Sequence, residues 1–479
     1  MRKIPRTLGT QHPDNALKPY WAANAFIDTS TEIEECFRSF SDLGTQEFMW
    51  DWEGKNVDES AVEKLFENYT EYFRANSIGK DFFFTMRLPN IWEEKGYRLS
   101  KAFVNIISAN QMAEDLGFNS PVLFEAILPM TKSVDQLFFL HSRFRQIQKA
   151  FDSDLSLELI PLVEEVPGMC QVDDLLLAYV EQEKRDYLRV FLARSDPSLN
   201  SGNVSATLGA KIGLSKMLEF QEKTSIVVYP MIGVGSLPFR GGLTPLNAGK
   251  FFEEYSGVHT VTLQSAFRYD YAKEEVEKAI REINSSSTKA KAVEEEKLMP
   301  VIGAFTREYQ LLVEPIAPMV NSVSKFIPQR RERKLHVGLF GYARKMQGVT
   351  LPRAIAFTAS MYSLGVPPEL LGVGTALSKL EGKDRDALYE NYLFFEEDLR
   401  QAGVYLNKEN LHALAAQNNW QAVEKDILLL EKELGELGPV DDNSLLHRNL
   451  TSNVRIMLKN GRNPTPEIER AAELRKSLG

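Results

Sequence analysis

Seven short runs of β-forming residues, each followed by a longer stretch with helical spacing, constrain this chain more than any other feature. They are QEFMWDW (46 to 52), DFFFTMRL (81 to 88), PVLFEAIL (121 to 128), LSLELIPLVEE (155 to 165), YLRVFLARS (187 to 195), SIVVYPMIGV (225 to 234) and HTVTLQSAF (259 to 267). Most are apolar at nearly every position rather than at every second one, so both faces of each strand must be covered, as in a parallel sheet wrapped by helices. The intervening segments supply the cover: in 58–76, Val62, Leu65, Phe66, Tyr69 and Tyr72 share one helical face, and 131–150 and 173–185 read alike. Seven visible units with an eighth hidden close most economically into an α/β fold of the (β/α)8 TIM type. An open, doubly wound sheet is the alternative.

Beyond about residue 270 the pattern turns helical. YAKEEVEKAIREI is a charged helix, INSSSTKAKAVEEEK a surface connection, and LPRAIAFTASMYSLG and QAVEKDILLLEKELGELG are further helices. No Pro/Gly/Ser linker sets this part apart, so the expectation is one catalytic domain over 1–479. Its barrel core would cover approximately 40–360, with a C-terminal helical region, approximately 361–479, packed on it. At 43% hydrophobic residues the chain has ample material for a core. Two distant cysteines, Cys36 and Cys170, suggest neither a disulfide framework nor a zinc site and fit a reducing cytoplasm. The start, MRKIPRTLGTQHPDN, lacks the apolar run of a secretory leader, and no stretch approaches the ~20 apolar residues of a membrane span. A net charge of -10 argues against nucleic acid as partner. An anionic substrate would need a local cluster of arginines.

Polar residues at the C-terminal ends of barrel strands are where such a fold places its chemistry. Arg87 and Asn90 end the second run, Glu164 and Glu165 the fourth, Arg194, Ser195, Asp196 and Asn200 the fifth, and Gln264 and Arg268 the last. Any one of these could be an ordinary loop anchor; the habit repeated on successive strands points to a site. Glu164 and Asp196 are the natural ligands for Mg²⁺ or Mn²⁺, which prefer carboxylate oxygens and keep other positions for water and substrate phosphate. Strand alternation lets only one of Glu164 and Glu165 face inward, without saying which. In GVGSLPFRGGLTPLN, Gly233, Gly235, Gly241 and Gly242 surround Arg240, a pattern that would let backbone amides approach an anion while the guanidinium clamps it. Arg344 lies in the glycine-bounded GLFGYARKMQG. Arg353 opens an apolar helix, where an anion or a carboxylate partner would relieve a cation beside the positive helix end. The run RRERK (330 to 334) reads as solvated charge. In GTQHPDN, Pro13 biases His12 towards extended backbone, and Asp14 and Asn15 are able to close a turn through their side chains.

TQHPDN, MWDWEGKNVDE, FTMRLPN, PLVEE, ARSDPSLNSG, GVGSLPFRGG, TLQSAFRYD and LPRAIAFTASMYSLGVP, in that order over residues 10 to 367, together resemble phosphoenolpyruvate carboxylase of the short, archaeal type. The resemblance implies conversion of phosphoenolpyruvate and bicarbonate into oxaloacetate and phosphate, with Mg²⁺ or Mn²⁺, by a homotetramer. It implies catalytic roles for His12, Arg240 and Arg353, metal binding by Glu164 (in preference to Glu165) and Asp196, and substrate contacts from Arg87, Gly235, Gly241, Gly242, Gln264, Arg268 and, more loosely, Arg344. Leu199 stands where the long form of the family has a lysine, and GSLPFRGG lacks that form's leading histidine; the chain is also far shorter than the long form, so that form's aspartate and acyl-coenzyme A regulatory sites are not assumed. Two rival readings share part of this pattern: another metal-dependent barrel enzyme acting on phosphoenolpyruvate or a 2-oxo acid, and a non-catalytic metabolite-binding protein. Neither requires His12.

Overall fold

In the computed structural model, which describes residues 3–54, 58–93, 96–287, 289–331, 344–346, 348–416 and 419–479, eight parallel strands close into one barrel. They are β1 (Thr7–Gly9), β2 (Glu47–Asp51), β3 (Phe83–Arg87), β4 (Leu123–Leu128), β5 (Glu158–Val163), β6 (Tyr187–Ala193), β7 (Val227–Gly233) and β8 (Thr260–Leu263). The hidden eighth strand is β1, three residues at the very front of the described chain. Leu8 pairs with Glu47 on one side and Thr262 on the other, so this fragment bridges β2 and β8 and completes the ring. The barrel strands therefore run from Thr7 to Leu263, and the span of approximately 40–360 expected from the sequence is corrected at both ends.

Inside the barrel, Leu8, Met49, Ile127, Ile160, Leu162, Phe191 and Met231 form one apolar layer. Outward-facing strand residues such as Phe84, Val190 and Ile232 pack under the helices in a larger core. A second core gathers the helical part around the long helix Glu295–Ser324, and it reaches the barrel through Val166, Leu199, Leu208 and Phe239. Phe239, in the loop after β7, stacks on Phe357 of the helix Ala354–Leu364 with ring centroids 5.7 Å apart. The helical part thus packs beside the end of the barrel at which the strands finish. Leu199, the position of the long form's lysine, is buried in this second core. The helix expected over 58–76 is two pieces, Ala61–Asn68 and Thr70–Ala75. Tyr69 at the joint stacks on Phe37 at 3.7 Å and donates its hydroxyl to Glu34, which draws it out of the helical path.

Candidate active site

A cavity of about 330 Å³ opens at the C-terminal ends of the strands, and residues from His12 to Leu478 line it. His12 follows β1 by three residues, so the short first strand is what delivers it there. Thr10 directs its hydroxyl at the carbonyl of Leu263, 3.4 Å away, and lies 2.8 Å from His12 Nδ1. Donor and acceptor in the Thr10–His12 contact are set by the tautomer of the imidazole.

Arg87 ends β3 and is gripped by two carboxylates. Its Nε and Nη2 donate to Asp51 at 2.9 and 2.7 Å, and Nη1 lies 3.1 Å from Glu53. Burial works against its charge, but Asp51 and Glu53, with a further contribution from Glu164, hold the guanidinium well above its ordinary pKa. The same influence places Glu164 within electrostatic reach of Arg87 across the cavity. The two glutamates differ in position: Glu164 lines the cavity and accepts from the backbone N–H of Met130 at 2.6 Å. Glu165 points outward, half exposed, to Lys132 at 3.1 Å. Asp196, at the start of the short helix Ser195–Ser201, lines the same cavity.

Arg240 is fully buried and sits among four partners. Nε donates to Ser195 Oγ at 3.1 Å, Nη1 to Asp14 Oδ2 at 3.1 Å and to the carbonyl of Gly479, and Nη2 to Gln264 Oε1 at 2.6 Å. Gln264 also lines the cavity. Arg353, the N-cap of the helix Ala354–Leu364, is half-buried on the cavity wall beside Ala354, Ile355 and Ala356.

The glycine-rich loop works differently from the sequence expectation. The N–H of Gly235 donates to the carbonyl of Arg240, that of Gly241 to Pro238 and that of Gly242 to Leu237, so these amides are used within the loop. Neither Gly235, Gly241 nor Gly242 lines the cavity. Their lack of a side chain serves packing instead: a Cβ at Gly235 would lie 2.9 Å from the Arg240 guanidinium, and Gly241 combines a φ of +109° with a Cβ position 2.5 Å from Val234.

Arg268 is likewise corrected. It follows β8 by way of the short turn Ser265–Phe267, does not line the cavity, and pairs with buried Glu35 on the helix Thr29–Ser41. Arg331 pairs with the same carboxylate and also reaches Glu32 at 3.3 Å. Arg330 and Arg331 of the supposedly solvated RRERK are buried and line the cavity; the rest of that run lies outside the described residues. Arg344 begins a two-stranded ribbon, Arg344–Met346 with Val349–Leu351, and its side chain lies outside the described residues, as does most of GLFGYARKMQG. Glu53 and the two arginines 330 and 331 are cavity residues that sequence reasoning missed.

Among the described residues no group of three or more histidine, cysteine or acidic side chains is gathered, so a closed zinc-type cage is not formed. Glu164 and Asp196, which both line this cavity, are oxygen donors of the kind that suits a hard divalent cation completed by water and substrate oxygens. Fold and cavity together define a (β/α)8 barrel with arginines and carboxylates gathered in a cavity at its mouth.

A family model described as phosphoenolpyruvate carboxylase matches residues 4–479. Curated relatives of that name include those of Leuconostoc mesenteroides (37% identical, covering 100% of this chain and 99% of that one) and Metallosphaera sedula (38%, 100% of both). That of Caldivirga maquilingensis is 40% identical over 91% of each chain. The chain belongs to the phosphoenolpyruvate carboxylase family, a family of carboxy-lyases. Among solved structures, malate synthase of Haloferax volcanii is similar with a TM-score of 0.39 and 10% identity over 68% of this chain and 85% of that one, too distant to bear on fold or function.

Proposed function

We propose that the chain carboxylates phosphoenolpyruvate with bicarbonate, giving oxaloacetate and phosphate, and so supplies four-carbon acids. The observation that carries this reading is the convergence of His12, Arg87, Arg240, Arg353, Glu164 and Asp196, spread over 342 residues of sequence (353 minus 12, plus one), on one cavity. Arg87 and Arg353 gather the phosphate and carboxylate of the substrate. An oxygen of bicarbonate attacks phosphorus and the bond from phosphorus to the enol oxygen breaks, leaving carboxyphosphate and the enolate of pyruvate. Arg240 supplies fixed positive charge to the oxygens that gain charge in this step. The His12 imidazole takes the carboxyl proton; the bond from the carboxyl carbon to the oxygen it shares with phosphorus breaks, releasing carbon dioxide, and the phosphate recovers the proton. The enolate carbon then attacks carbon dioxide.

Met49, Leu162 and Phe191, all buried, form the apolar floor of the cavity and keep water from protonating the enolate. Glu164 and Asp196 would hold Mg²⁺ or Mn²⁺, which when bound neutralises substrate oxygens. Residues 1–479 work as one catalytic unit, and the family likeness supports a cytoplasmic homotetramer, which light scattering on the purified protein checks. Among the described residues no helix is long and apolar enough to cross a membrane. The deciding experiment measures oxaloacetate and pyruvate from phosphoenolpyruvate with and without bicarbonate. Bicarbonate-dependent oxaloacetate supports the reading; its absence in folded, metal-supplied protein ends it.

A further inference from the structure

We infer that Asp14 is a positioning residue, tying the segment that carries His12 to the loop that carries Arg240 so that both act on one carboxyphosphate; this rests on the carboxylation reading above. The two side chains are 226 positions apart in sequence, 0% and 1% exposed, and meet at 3.1 Å. Removing two charges from water is costly, so a wholly buried ion pair is weak evidence of a device for stability alone and is better explained as fixing a geometry. The other oxygen, Oδ1, is buried without a hydrogen-bond partner among the described residues, which adds to that cost. The carboxylate is committed to Arg240.

What it holds in place is specific. The rest of the segment is tied elsewhere: Gln11 accepts from the backbone N–H of Asp51 at 2.9 Å, Arg330 donates to the carbonyl of Asn15 at 2.9 Å, and Asp270 accepts from Ala16 and Leu17 at 3.0 and 2.8 Å. Asn15 closes the local turn by donating to the carbonyl of Leu17, the part the sequence offered to Asp14 as well. Asp14 instead reaches the loop. Pro13 between His12 and Asp14 fixes its own φ, so a displacement of one side chain is passed to the other. On the far side, Arg240 is registered to the ends of β6 and β8 through Ser195 and Gln264. Base and cation are thereby held in one frame. A misplacement of about 1 Å costs on the order of 100-fold in a positioned reaction. Here the cost falls on the intermediate: a carboxyphosphate not deprotonated in register is lost to hydrolysis, and its enolate is protonated to pyruvate.

The test is product partition in the full-length protein: oxaloacetate and pyruvate formed per phosphate released, in the presence of bicarbonate, for the parent chain, Asp14→Asn and Asp14→Ala. Asparagine keeps the shape and one acceptor oxygen for Arg240 while removing the charge. The expected result is a several-fold fall in oxaloacetate per phosphate in Asp14→Ala and a smaller fall in Asp14→Asn, with KM for phosphoenolpyruvate changed by less than about threefold. Because it is a ratio, the readout does not depend on how much protein is folded, and a purely structural role leaves it at the parent value. That outcome overturns the inference. The second arm repeats Asp14→Asn in an Arg240→Lys background: if Asp14 acts through Arg240 the ratio moves no further, whereas an independent, additive fall overturns the proposal. A parent chain that makes no oxaloacetate at all sinks the carboxylation reading, a result distinct from either.

Discussion

At the closed end of the barrel Arg189 lies between two carboxylates, Glu47 at 2.7 Å and Glu125 at 2.5 Å; at the mouth Arg87 lies between Asp51 at 2.7 Å and Glu53 at 3.1 Å. Both arginines are buried, and both are held above their ordinary pKa because the nearby acids outweigh desolvation. Chemistry of the residues alone does not separate them. At the closed end Thr85 donates to Glu47 and Tyr187 to Glu125, and none of Arg189, Glu47 and Glu125 lines the cavity at the mouth. Around Arg87 the same pairing borders a cavity, with Glu164 contributing to its field and His12 lining the same cavity. A buried arginine with two acids is a structural plug in one place and part of a site in the other, and the space beside it makes the difference.

Four changes test that contrast. His12→Asn at the mouth should lower oxaloacetate formation by about 10²- to 10⁴-fold, the usual worth of a positioned base, while bicarbonate-dependent release of phosphate with pyruvate persists. Oxaloacetate formation at the parent rate would remove His12 from the mechanism. Arg189→Met at the closed end should cost about 3–5 kcal/mol of stability, since it strands two buried carboxylates, yet leave kcat and KM of the folded protein near parent values. Thermal melts and kinetics on the same preparation read both, and a selective loss of kcat without loss of stability would break the contrast. Adding Glu47→Met and Glu125→Leu to that variant should restore much of the stability. Asp196→Asn should weaken Mn²⁺ binding on the order of 100-fold, read by calorimetry as well as by metal titration of activity. Unchanged binding would point to other ligands.

The sequence was legible where local pattern decides and silent where distant chain segments do. Seven strands showed as apolar runs because both of their faces are covered; β1 did not, because Thr7–Gly9 is too short for a period and is a strand only through its neighbours on either side. Alternation said that one of Glu164 and Glu165 faces inward without saying which; Glu164 lines the cavity and accepts from the Met130 amide, a partner 34 positions away. Arg268 was misplaced for a related reason: the turn at Ser265–Phe267 ends the strand's alternation, and Glu35, 233 positions earlier, is the carboxylate waiting on the other side. RRERK looked solvated because a run of charge usually is. Arg331 is neutralised by Glu32 and Glu35 and Arg330 by Glu469, partners that only the closed fold supplies.

The smallest expected effect lies at the rim, where Asp270 anchors the end of the His12 segment. Burial pushes its carboxyl up to about 7, and the charge of Asp14 adds to this against the lowering influence of the Leu17 and Ala16 amides that it accepts from. The folded pKa is therefore above the unfolded value near 3.9, so between those values the folded chain binds the extra proton and stability falls as pH rises. From pH 5 to 7 this group alone should remove about 2 kcal/mol, at most about 1.4 kcal/mol for each pH unit. Asp270→Asn should lose that slope, so that the difference in melting temperature between variant and parent moves in the variant's favour as pH is raised from 5 to 7. An offset independent of pH would show that Asp270 is ionised throughout and contributes no slope.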